Sequence, residues 1–329
     1  MSGRDAALGA LYGLAIGDAL GMPTQLMSRQ AIAERYGVLR GFEPAAADHP
    51  LAAGMAAASV TDDTEQAFLV ARLLVEGGGH IDGPKFAREL VRWEDGMRAK
   101  GSLDLLGPST KRAVDAVIDG ESVDESGRFG TTNGAAMRIT PVGIVVRATD
   151  LAALVDRVEE ASQVSHNTGV AIAAASAVAA TVGAAIDGAD ASDAIEAGIA
   201  AAVAGAGRGY WVAAADVAAR IRLALDLSDP SDVEGSLTRL YEVVGTSLAS
   251  QESVPAAFGI LSLFPGDPWA AGLAAAGLGG DSDTVAAMAG AMSGAIYGVD
   301  AIPLDARGTI ARVNSLDVES VVDDLLALR

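Results

Sequence analysis

The residues best equipped for chemistry lie in two short acidic stretches, Thr61-Asp62-Asp63-Thr64 and Gly279-Gly280-Asp281-Ser282-Asp283-Thr284. Each opens an apolar helical pattern. Ala67, Phe68, Val70, Ala71 and Leu74 follow the first, and Val285, Met288, Ala289 and Met292 follow the second. Acids and hydroxyls favour helix N-termini, so capping alone accounts for one such cluster. It does not account for two hydroxyl-plus-double-acid copies far apart in the chain. The second is preceded by glycines that let the backbone bend around a site. Four carboxylates and two threonine hydroxyls offer only oxygen ligands, which suit Mg²⁺ or Mn²⁺ and not zinc. Four clustered carboxylates without cations would repel one another, and a two-metal site is the natural resolution.

Competing motifs fail on single residues. Asp281-Ser282-Asp283 does not begin an EF-hand, because Ala286 and Met292 occupy its sixth and twelfth positions. No Walker A loop, HExxH or GxSxG occurs, and Ser282 stands where GxGxxG needs its last glycine. Asp62-Asp63 would start the DDxxD motif of an isoprenoid synthase, but Gln66 takes the closing acid position. Carbocation cavities are also lined with aromatics, which make up only 4% of this chain.

The elements that must position these residues are helices. Alanine is abundant, and helical blocks recur between Gly, Pro, Asp and Ser punctuation. The pattern predicts helices near 4–20, 62–77, 84–98, 109–119, 134–147, 150–162, 168–187, 191–204, 210–226, 232–248, 256–263, 268–277, 282–298 and 316–328. No segment shows the sustained alternation of a strand, so the fold class is all-α. No repeat or linker divides residues 1–329, which read as a single domain. Gly37–Val60 is the most irregular stretch and is expected to form a lid or rim. Thr168–Ile186 is uncharged and long enough to span a bilayer, but its Ala, Val, Gly and Ser content fits a buried central helix better.

Composition narrows the partners. The 329 residues carry 43 acids against 23 bases, a formal net charge of −20, which repels phosphate backbones and argues against nucleic-acid binding. With no cysteine, thiol catalysis, disulfides, iron–sulfur clusters and Cys-type zinc sites all disappear together. Three histidines make a multi-His zinc site improbable. The first residues lack the basic and apolar regions of a signal peptide, so a cytoplasmic location is expected, without membrane contact.

Five ordered blocks resemble the ADP-ribosylglycohydrolase family. They are Gly13-Leu14-Ala15-Ile16-Gly17-Asp18-Ala19-Leu20-Gly21, the Thr61 cluster, Asn133-Gly134-Ala135-Ala136-Met137-Arg138, His166 with its small-residue helix, and the Gly279 cluster. The resemblance implies an all-α, compact orthogonal multi-helix bundle with a dinuclear Mg²⁺ or Mn²⁺ site at helix N-termini. Such an enzyme cleaves a ribosyl N- or O-glycosidic bond of ADP-ribosyl conjugates. The implied metal ligands are Thr61, Asp62, Asp63, Asp281, Asp283 and Thr284. Asp104, in a segment resembling the family's D-x-G-x-x-T, and Asp63 are the candidates for the proton-accepting carboxylate. Thr132, Asn133, Gly134, Met137 and Arg138 form the implied substrate loop, with Arg138 either contacting the site or serving as a core ion-pair partner. His166 either bonds substrate or is structural, and Phe129 either stacks on a base or packs in the core.

The chain departs from the family pattern twice. Gln25 stands where several members carry a glutamate, and an amide is no general base. Thr132 stands where the family loop often has glycine, which narrows the approach of a diphosphate. Both departures favour an alternative, a small-molecule N-glycosidase acting on nucleosides or ribosylated metabolites. A third reading is a non-catalytic binding or structural relative, against which the intact acidic clusters argue.

Overall fold

The fold is organised around two helices in backbone contact. The structure, a computed structural model, describes residues 1–99 and 106–329. In chain order the helices are α1 (Gly3–Gly21), α2 (Arg29–Tyr36), α3 (Asp62–Glu76), α4 (Gly83–Ala99), α5 (Pro108–Ile118) and α6 (Val123–Ser126). Then come α7 (Gly134–Met137), α8 (Thr140–Val145), α9 (Leu151–His166), α10 (Gly169–Ile186), α11 (Ala191–Gly205) and α12 (Val217–Asp226). The last six are α13 (Val233–Arg239), α14 (Ser250–Leu263), α15 (Pro268–Ala276), α16 (Ser282–Tyr297), α17 (Leu304–Asn314) and α18 (Val318–Leu326). Among the described residues the only β-type pairings are isolated bridges, Thr132 with Ala249 and Thr168 with Tyr210. The fold class is therefore all-α, as read from the sequence.

Glycines every fourth residue make one stripe on α1. A Cβ on Gly9, Gly13 or Gly17 would lie 2.0 Å from the carbonyl oxygens of Gly294, Gly290 and Ala286 respectively. One on Gly21 would lie 2.4 Å from Asp283 Cα. α1 and α16 thus run antiparallel without side chains between them, and the C-terminal end of α1 meets the acidic start of α16. One contiguous hydrophobic cluster extends from Ala6 to Leu325 around this pair. Among the described residues two apolar segments have the length of a membrane span, Gly3–Thr24 and Gly169–Ile186, and both are wholly buried inside the fold.

The differences from the predicted helices have local causes. The block expected at 134–147 is two short helices, because Pro141 starts α8 rather than continuing α7. α14 begins at Ser250 rather than near 256 and keeps Pro255 inside it; Gln251 O, which loses the Pro255 N–H, accepts from Arg220 Nε at 3.2 Å instead. α12 starts at Val217, after an irregular stretch from 206. The sequence pattern predicts none of α2, α6 and α17; α2 buries only Ile32, α6 only Ser126 and α17 only Ala306 and Ile310, so none shows an apolar stripe.

Candidate active site

The start of α3 is built on a buried acid. Asp18, in the last turn of α1, is fully buried and accepts from four donors of the α3 cap. Thr61 N–H donates at 3.0 Å and its hydroxyl at 2.8 Å, while Thr64 N–H donates at 3.2 Å and its hydroxyl at 2.5 Å. The two N–H groups are among the orphan donors that every helix N-terminus presents. Burial pushes the Asp18 carboxyl up to about 6, and the hydrogen bonds from Thr64 and Thr61 oppose that shift. The arrangement turns the carboxylates of Asp62 and Asp63 toward a cavity.

The start of α16 is held mainly by main chain. Gly279 (φ 78°) and Gly280 (φ 73°) adopt a left-handed conformation, and a Cβ on Gly280 would lie 2.4 Å from Thr246 O. Leu26 N–H donates to Gly280 O at 2.7 Å, Gly280 N–H to Met27 O at 2.9 Å, and Asp281 N–H to Thr246 O at 2.7 Å. Asn133 Nδ2 adds a side-chain bond to Asp281 Oδ2 at 2.5 Å and another to Ser253 Oγ at 2.9 Å. Burial raises the Asp281 carboxyl to about 6, against the hydrogen bonds of Asn133 and Thr284.

The two helix starts face one cavity of about 240 Å³. Its described lining includes Asp62, Asp63, Asp281, Asp283 and Thr284, with Gln25, Thr132, Asn133, Gly134 and Met137. Thr284 Oγ1 donates to Asp63 Oδ2 at 3.2 Å and so links the clusters directly. Leu51, from the irregular Gly37–Val60 stretch, contributes to the rim. Among the described residues, no three aspartates, glutamates or histidines are gathered closely enough to cage an ion. The donor set is all oxygen, the ligand chemistry that hard divalent cations take.

The remaining sequence candidates divide. Thr61 forms the N-cap behind the cavity, its hydroxyl bonded to Asp18 and, at 3.3 Å, to Asp63. Arg138 does not reach the cavity surface: it is fully buried, with its guanidinium 4.8 Å from the Phe86 ring centroid. Burial lowers it to about 10, against the charge of Asp62. Its NH1 donates to Gln66 Oε1 at 2.8 Å, and Gln66 Nε2 donates to Asp62 Oδ2 at 2.9 Å. His166 is also fully buried, between Ser165 Oγ (2.8 Å) and Thr132 Oγ1 (2.9 Å). Gly134 makes room for it, since a Cβ there would lie 2.8 Å from the His166 ring. Phe129 is 57% exposed, outside the cavity lining and flanked by Arg112 and Arg128, so it neither packs in the core nor faces the acids. Asp104 lies outside the described residues, although Leu106, Gly107 and Pro108 just after it line the cavity.

The sequence reading gave no role to Asp18, Gln66 or Ser165, which hold the site from behind. Asp18 carried one signal, as the one charge in the apolar run that forms the second half of α1. An acid that helix packing must bury requires several donors.

An all-helical fold with an acid-lined cavity between two helix starts defines the class of protein. The ADP-ribosylglycohydrolase family profile matches residues 1–329, and the chain belongs to that family. It is 36% identical over 311 residues to a protein of Escherichia coli K12 designated YegU, covering 94% of this chain and 93% of that one. It is 28% identical over 304 residues to the ADP-ribosylarginine hydrolase Tri1 of Pseudomonas putida GB-1, covering 91% of this chain and 72% of that one. Among solved structures, an ADP-ribosylglycohydrolase-related protein complex shares the fold with a TM-score of 0.72 and 24% identity, covering 99% of each chain. The chain is accordingly a glycosidase-type enzyme.

Proposed function

We propose that the protein is a metal-dependent hydrolase of a ribosyl glycosidic bond, acting on ADP-ribosyl conjugates with two Mg²⁺ or Mn²⁺ ions. The observation that carries this reading is the meeting of two acidic helix starts in one cavity, with Thr284 bonded to Asp63 at 3.2 Å. Asp62, Asp63, Asp281, Asp283 and Thr284 would hold the cations, with Thr61 supporting them from the cap. Divalent cations there supply positive charge that polarises water and anchors ribose hydroxyls.

The chain's own residues do the rest. The carboxylates ringing the cavity stabilise the positive charge that develops on the ribosyl carbon as the glycosidic bond breaks. An Asp63 carboxylate oxygen accepts the proton of the attacking water, with Asp104 as the alternative acceptor. Gln66, held by Arg138, fixes the Asp62 carboxylate through its 2.9 Å bond. Leu26, Leu51, Leu106 and Leu248 form an apolar rim that limits competing water.

The smaller-substrate reading has its own support. A cavity of about 240 Å³ is below the usual range for drug-sized ligands, which favours a nucleoside or ribosylated metabolite. Calorimetric titration with ADP-ribose, ribose and adenosine, in Mg²⁺ and again in EDTA, separates the two. The ADP-ribosyl reading requires binding of ADP-ribose that disappears in EDTA; tighter binding of ribose or adenosine moves the assignment to an N-glycosidase. Asp62→Asn and Asp283→Asn are each expected to cut turnover about 100-fold or more. Full activity in both would overturn the metal assignment.

A further inference from the structure

Behind the cavity wall a continuous hydrogen-bond chain joins Asp62 to Thr132 through a buried cation. From Arg138 one arm runs through Gln66 to Asp62. The other runs from Arg138 NH2 to Ser165 Oγ (2.6 Å), from Ser165 Oγ to His166 Nδ1 (2.8 Å), and from His166 Nε2 to Thr132 Oγ1 (2.9 Å). Arg138, Ser165 and His166 are fully buried, and Gln66 is too, so water takes no part in this chain.

A guanidinium has donors and no acceptor, so it sets the direction of every bond it starts. Gln66 must turn its oxygen to Arg138, which leaves its amide N–H for Asp62. Ser165 must accept from Arg138, and among the described residues the only acceptor in reach of its own proton is His166 Nδ1. The reverse arrangement, with the proton on Nδ1, would bury a serine O–H with nothing to receive it. His166 therefore carries its proton on Nε2 and gives it to Thr132 Oγ1. Burial and the nearby Arg138 and Arg112 hold His166 well below its usual range, so a doubly protonated ring does not arise. The Thr132 oxygen is occupied as an acceptor, and its hydroxyl proton, on a residue that lines the cavity, has no acceptor among the described residues.

We propose that Thr132 is an obligate hydrogen-bond donor into the cavity, its polarity imposed by Arg138 through Ser165 and His166. It selects a substrate atom that accepts and cannot donate, such as a ring or phosphoryl oxygen, over a proton-bearing nitrogen. Gln25 supports the same character for this wall: it is 4% exposed, it lines the cavity, and its buried Nε2 has no hydrogen-bond partner among the described residues. Its backbone oxygen is fixed by His49 Nε2 at 2.9 Å, while Ala52 N–H donates to His49 Nδ1 at 2.8 Å. A buried amide N–H without a partner is costly, and a side-chain turn that brings it to a substrate oxygen would relieve it. The acid wall thus faces donors, as a substrate rich in lone pairs requires.

This inference rests on the reading of the site as a ribosyl hydrolase for its choice of probe, but its polarity is tested separately. With ADP-ribose and Mg²⁺, Thr132→Val should weaken binding roughly fivefold to tenfold, and Thr132→Ser should restore it to within about twofold. Unchanged affinity in Thr132→Val would overturn the donor role. Should wild-type protein bind no ADP-ribose at all, the substrate reading fails, and nitrogen NMR of the His166 ring still decides the polarity. The expected spectrum has Nε2 protonated and Nδ1 bare, with the two forms mixing in Ser165→Ala; a proton on Nδ1 in wild type would overturn the chain.

Discussion

The two acidic helix starts look alike in sequence and are supported in opposite ways. At α3 the support is a side chain: Asp18 satisfies two N–H groups and two hydroxyls of the cap. At α16 it is main chain: two left-handed glycines and a backbone clasp to residues 26, 27 and 246. The α3 start must be anchored to a helix that passes at a distance, and a carboxylate can reach across. The α16 start lies directly against α1, where Gly21 leaves no room for a side chain. The same chemical output, acids aimed at a cavity, is reached by whichever device the local spacing allows.

The comparison breaks most visibly at Asp18. Asp18→Ala strands several buried donors at once and should cost about 3–5 kcal/mol in denaturant unfolding. A loss below about 1 kcal/mol would mean that the cap does not depend on it. The main-chain support is tested by Gly280→Ala, which combines a left-handed backbone with a Cβ 2.4 Å from Thr246 O. The expected loss is about 2–3 kcal/mol. If Gly280→Ala proves the milder of the two in stability but equally damaging to Mg²⁺ binding, the clasp serves the site more than the fold.

The smallest effect concerns pH and sharpens the contrast between the cavity and its buried backing. His166 has a folded pKa well below 6.5, so below that pH the unfolded chain takes up a proton that the folded chain refuses. Its contribution to stability is complete above 6.5 and is lost as pH falls. Asp18 and Asp281, both raised to about 6, act in the opposite sense in metal-free protein, so the total curve hides the histidine. The difference between His166→Asn and wild type isolates it. The variant should gain about 1.4 kcal/mol on wild type per pH unit below 6.5. A flat difference would show that His166 is protonated within the fold.

Much of this architecture was legible in the residues. Alanine-rich blocks with glycine and proline punctuation gave the helices, and the two hydroxyl-plus-acid starts gave the acids that line the cavity. What escaped had no periodic signal: α17 buries only two side chains, and Pro141 divides a run that reads as one helix. Arg138 and His166 stand out in the sequence as candidates for substrate contact, yet both lie behind the wall. Residue type marks a group as capable of bonding, but not which side of a helix will be sealed.

By itself, the sequence determined the all-helical class, the family, the two acidic helix starts and the absence of thiols, because these depend on composition and local pattern. The tertiary structure alone decided that Asp18 caps a helix more than forty residues away and that Arg138 backs Asp62 through Gln66. It alone set His166 Nε2 against Thr132 Oγ1. Each of these is a pairing of buried polar groups, and burial is settled only when distant helices close over them.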